Sequence, residues 1–62
     1  MLKFKKTKGL DIWTTKSIEG DSFDIIKDIC DNKFIVYVNG DKYAVAGTLA
    51  TAKKYANERG RL

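Results

Sequence analysis

Few side chains in this 62-residue sequence could do covalent or acid–base chemistry, and they lack the partners such chemistry needs. Cys30 is the one thiol, and the chain has no histidine to draw off its proton. A thiol nucleophile works as the thiolate, so without a neighbouring base Cys30 reads as a small hydrophobe in a hairpin. Asp24, Asp28 and Asp31 stand close enough in sequence to suggest a divalent-metal site, which needs convergent oxygen ligands. The same acids also serve as solubilising charge on an exposed strand, and that explanation needs no further ligand. The glycines form neither GxxxxGK[ST] nor GxGxxG, so no phosphate loop is present. The sequence therefore predicts a non-enzymatic protein with no cofactor, no metal and no small-molecule substrate.

Binding chemistry is better represented. The net charge is +4, and it is unevenly placed. Residues 1–8 hold Lys3, Lys5, Lys6 and Lys8 with no acid. Residues 9–50 hold four lysines against seven acids, and residues 51–62 hold Lys53, Lys54, Arg59 and Arg61 against Glu58. Basic ends around a mildly acidic middle allow nucleic-acid contact, and they equally describe solvated termini.

The elements that would position these groups follow from turn signals. Asn39-Gly40 suits a two-residue type I′ hairpin, which needs positive φ at both positions. Such a turn sets Val38 opposite Asp41, Tyr37 opposite Lys42, Val36 opposite Tyr43, Ile35 opposite Ala44 and Phe34 opposite Val45. Asp31-Asn32, taken as a second two-residue turn, sets Ile29 opposite Phe34, Lys27 opposite Val36, Ile26 opposite Tyr37 and Ile25 opposite Val38. Residues directly opposite share a face, and faces alternate along each strand. One face then collects Phe23, Ile25, Ile29, Phe34, Val36, Val38, Tyr43 and Val45, with Lys27 and Asp41 near a rim. The other collects Asp24, Ile26, Asp28, Cys30, Lys33, Ile35, Tyr37, Lys42, Ala44 and Ala46. Residues 22–30 also fit helical spacing, with Ser22 as an N-cap; their β-branched content and the turn that follows favour a strand.

LDIWTTKS reads as the first full strand, and a three-residue loop after it would turn Trp13 to the core. Residues 1–8 read as a basic arm or an edge strand, since Leu2 and Phe4 alternate with lysines that would block stray pairing. The meander spans 12–46. Thr48 offers an N-cap to a helix over 48–59, on which Leu49, Ala52 and Ala56 make one stripe, Lys53, Lys54 and Asn57 point away, and Gly60 supplies a stop. The fold class is α+β: a three- or four-stranded antiparallel β-meander with one C-terminal α-helix packed on one face. A chain this short buries only about 60% of its unfolded surface, so its core is thin. One cysteine, no signal-like segment and no apolar run longer than FIVYV predict a soluble, cytoplasmic single domain with no membrane span.

The order W…G.SF.I…KFIVYVNG…AGTL..AKKYA resembles small phage and prophage proteins of the sheet-then-helix type. The stretch KFIVYVNG…AGTLATAKKYA, about residues 33–57, also resembles the three-stranded DNA-binding domains of AP2 type and of phage integrase N-termini. The AP2 resemblance implies DNA reading by strand arginines; the strands here carry none, so no base-reading residue is carried over. Two partner classes remain. A protein partner, or a second copy of the chain, would meet Ile26, Ile35, Tyr37, Lys42 and Ala44. Nucleic acid would meet Lys3, Lys5, Lys6, Lys8, Lys33, Arg59 and Arg61. The resemblance implies an accessory protein of phage type acting in a bacterial host, and the apolar strip with its charged rim favours the protein partner.

Overall fold

The computed structural model describes residues 2–60. Five strands and a helix follow in order: β1 (Lys5–Lys6), β2 (Ile12–Lys16), β3 (Ser22–Asp28), β4 (Lys33–Val38), β5 (Asp41–Ala46) and α1 (Leu49–Gly60). The strands form one antiparallel sheet in chain order, β1-β2-β3-β4-β5. The sheet thus has one strand more than the sequence predicts. Residues 1–8, read as a basic arm or an edge strand, contribute the two-residue edge β1, where Lys5 and Lys6 pair with Thr14 and Trp13. Residues 22–28 are strand rather than helix.

The β4–β5 turn is the one expected. Asn39 and Gly40 have φ of 53° and 87°, the left-handed values a type I′ turn requires. The Asn39 side chain also anchors the turn to the start of β3. Its Oδ1 accepts from the Ser22 N–H at 2.9 Å, and its Nδ2 donates to Asp21 at 3.1 Å.

Two register expectations are corrected. Asp31-Asn32 is not a two-residue turn: Asp28 pairs with Lys33, and residues 29–32 form a four-residue loop. The cause is local, because Asp28 Oδ1 accepts the N–H groups of Cys30 (3.0 Å) and Asp31 (3.3 Å) and closes the loop early. The pairing moves by two residues, so β3 keeps its faces, but Ile29 leaves the sheet and stands 77% exposed. Cys30 is likewise an exposed loop residue and not a strand residue.

The second correction is a β-bulge. After Tyr37↔Lys42 the register steps, giving Val36↔Ala44, Ile35↔Val45 and Phe34↔Ala46. Tyr43 is the extra residue. Ala44 and Ala46 therefore face the helix, while Tyr43 and Val45 are exposed. The bulge exchanges two large side chains for two small ones beneath α1. With Ala52 and Ala56 fully buried on the helix side, alanines meet across this interface, and the backbones can approach closely.

Thr48 caps α1 as expected: its Oγ1 accepts the Thr51 N–H at 3.2 Å. The helix lies on β3, β4 and β5 and leaves β1 and β2 uncovered. Phe23, Ile25 and Val36 are completely buried beneath it. Beyond its reach, Trp13 flanks the core and packs against Phe34 with ring centroids 5.8 Å apart. The β2–β3 loop, 17–21, has five residues rather than three; both are odd, so Trp13 faces the core side either way. Lys27 stays at the rim, its Nζ 5.9 Å from the Phe34 ring.

The N-terminal segment runs back along the helix. Leu2 and Phe4 pack on the core cluster, and the Leu2 N–H donates to Asn57 Oδ1 at 2.6 Å. Asn57 thus turns toward the N-terminal segment instead of away from the fold. Its Nδ2 donates back to the Lys53 carbonyl at 2.9 Å, which holds the amide in place. Gly60 belongs to the helix, and a Cβ there would lie 3.3 Å from Leu2 Cδ1, so glycine makes room for Leu2.

Candidate interaction surface

The helix covers one side of the sheet and leaves the other bare. Cross-strand pairing builds the bare side row by row. Ile12 pairs with Ile26, Ile26 with Ile35, and Ile35 with Val45, so one aliphatic row crosses four strands. Val45 is 40% exposed, and the three isoleucines are half-buried by their neighbours alone. Toward one end of the strands lies Lys5–Thr14–Asp24–Tyr37–Lys42. Toward the other end lies the pair Asp28–Lys33.

Of the expected protein-contact residues, Ile26, Ile35, Tyr37 and Lys42 share this face. Ala44 does not: the bulge turns it to the helix side, and Val45 takes the place beside Ile35. Ile12 and Val45 were not expected. Ile12 needed the register of β2, which the SIEGD loop left open in the sequence, and Val45 needed the bulge.

The expected nucleic-acid residues do not gather on one surface. Lys5 and Lys33 lie on the free face. Lys6 lies on the opposite side, 5.9 Å from the Trp13 ring and 3.8 Å from Asp11. Lys8 sits in the turn before β2, and Arg59 in the last turn of α1, where its charge suits the helix C-terminus. Arg61 lies outside the described residues. Lys3, however, shares a groove of about 540 Å³ with Leu2, Phe4, Lys53, Lys54 and Glu58.

The residues considered for catalysis are dispersed. Asp24 and Asp28 lie on different rows of β3, Asp31 is in the loop, and among the described residues no three acidic or thiol groups converge. Among the described residues, no helix is long and apolar enough to cross a membrane. Comparison with protein-family models, with curated proteins and with solved structures gave no match.

Proposed function

We propose that this protein is a non-enzymatic interaction module whose bare sheet face takes a protein partner. The observation that carries the proposal is the row Ile12–Ile26–Ile35–Val45, bordered by charged and hydroxyl side chains and left uncovered by the helix. Antiparallel sheets commonly keep one face wet, and such a face alternates with polar residues. Here the central row is aliphatic across four strands, and an apolar centre with a polar rim suits a protein interface. Asp24 and Asp28 on the same face oppose phosphate, which favours protein over nucleic acid there.

The test is affinity capture from nuclease-treated cell lysate with the wild type and Ile35→Asp, after circular dichroism has shown both folded. A bound protein that is retained through nuclease treatment and lost with Ile35→Asp supports the proposal. Capture that ignores the substitution refutes it.

A nucleic-acid role draws on one separate observation, the groove that joins Lys3 to Lys53 and Lys54. It is checked by titration with duplex DNA across salt concentrations. Three phosphate contacts would give a log–log slope of about −2.7 (about −0.9 per phosphate) whose magnitude falls when Lys53 and Lys54 become glutamine.

A further inference from the structure

The bare face divides its charge by strand. β3 contributes Asp24 and Asp28, β4 and β5 contribute Lys33 and Lys42, and the outer strands β1 and β2 add Lys5 and Lys16 toward one end. Among the described residues the one close ion pair is Lys6–Asp11; Asp28 and Lys33 face each other across β3 and β4 without a direct contact. We propose that the partner of this face is a second copy of the same chain, packed face to face about a twofold axis parallel to the strands and lying between β3 and β4. This rests on the protein-binding role proposed above and names the occupant.

The axis follows from the pairing. Rotation about it lays β3 over the second copy's β4, and β2 over its β5. Ile26 then meets Ile35 of the second copy, and Ile12 meets its Val45, so the aliphatic rows coincide along their whole length. Asp28 meets Lys33, Asp24 meets Tyr37, and Thr14 meets Lys42. Every contact occurs twice, as an isologous interface requires. An in-plane axis running across the strands does the opposite, setting Asp24 over Asp28. The charges therefore select the first axis, and sheets packed in this way keep their strands within about 30° of each other.

Size sets the strength. Four strands about 4.8 Å apart, each of about six residues at about 3.3 Å, make a face of roughly 400 Å² per copy. The total of about 800 Å² falls below the roughly 1,200 Å² of stable complexes. The dimer is a weak one, dissociated at low micromolar concentration and populated only well above it.

Sedimentation equilibrium tests this with four samples: wild type, Asp28→Lys, Lys33→Asp, and an equimolar mixture of the two variants. Alone, each variant sets like charges across the axis twice and loses about tenfold in association. In the mixture every lysine at position 28 or 33 meets an aspartate on the other chain, and association returns. Both variants keep a net positive charge, so bulk attraction cannot produce that rescue. Nor can the pairing within each chain, which stays like-charged in both. A mixture as monomeric as its components, beside a dimerising wild type, overturns the proposed axis. A wild type that is monomeric throughout overturns self-association, while the protein-binding role still stands or falls on capture sensitive to Ile35→Asp.

Asp28 also holds its loop, so Asp28→Lys could fail to fold. Dilution of the wild type followed by methyl NMR then decides. Shifts at Ile12, Ile26, Ile35 and Val45, with none at Ile25, Val36 and Val38, support the dimer. Dilution shifts absent from the first set overturn it.

Discussion

Ile35 and Val36 are neighbours in β4 that point to opposite sides of the sheet, and truncating each to alanine separates the two faces. Val36 is completely buried. Val36→Ala removes two methyl groups, about 1.6 kcal/mol of transfer free energy at roughly 0.8 kcal/mol each. The rigid surroundings of Phe23, Ile25 and α1 cannot collapse fully onto the gap, which brings the cost to about 2–3 kcal/mol. For 62 residues the total stability is about 3–9 kcal/mol at roughly 0.05–0.15 kcal/mol per residue, so this one change removes about a fifth of it at the least and most of it at the low end of that range. In a domain of this size it lowers Tm by roughly 10–20 °C. Ile35→Ala removes more atoms, yet from a face with no covering layer, and costs about 1 kcal/mol or less through lost cross-strand contacts. Thermal unfolding followed by circular dichroism at low micromolar concentration, where a weak dimer is dissociated, measures both. Equal losses for the two variants would refute the one-sided core. A larger loss for Ile35 would reverse the assignment of faces.

Three further outcomes follow from the same geometry. The bulge predicts that Val45→Asp keeps the fold, whereas Ala46→Asp puts a carboxylate under α1 and unfolds most of the population, as read by circular dichroism at 25 °C. Asn57→Ala frees the Leu2 N–H and costs about 1 kcal/mol. Hydrogen exchange should localise that change, with faster exchange at Lys5–Lys6 and little effect in β3 or β4. Gly40→Ala places a Cβ at φ of 87° and should cost about 1–3 kcal/mol, measured by urea unfolding with an unchanged m-value.

The sequence made some of this legible and hid the rest, for identifiable reasons. Asn39-Gly40 specified its turn because few residue pairs tolerate positive φ twice. The sides of β3 and β4 followed from strict alternation, and they survived a wrong loop length because the error was an even number of residues. Beyond Lys42 the same logic failed. Tyr43, Ala44, Val45 and Ala46 are all apolar enough to face a core, so alternation could not tell one register from the other. The usable signal was volume: a helix that presents Ala52 and Ala56 favours small side chains opposite, which points to Ala44 and Ala46 over Tyr43 and Val45. Asp28 carried a readable signal as well, since an aspartate two and three residues ahead of open N–H groups closes a turn through its own side chain. Of the candidate surface, Ile35, Tyr37 and Lys42 were placed by the Asn39-Gly40 hairpin, and Ile26 by alternation from the Asp31-Asn32 turn, whose misjudged length left its face unchanged. Ile12 could not be placed, because the SIEGD loop admits more than one register.

The clasp between Leu2 and the end of α1 has a consequence for how the domain can be rewired. The two ends of the described chain lie side by side, with Leu2 against Gly60 and bonded to Asn57. A short linker could therefore join them, and the chain could be reopened at the exposed tip of the β2–β3 loop, residues 18–20, without parting any strand from its neighbours except by the cut itself. For the same reason the whole domain could sit inside a surface loop of another protein, entering and leaving at nearly the same point, with its bare sheet face turned outward.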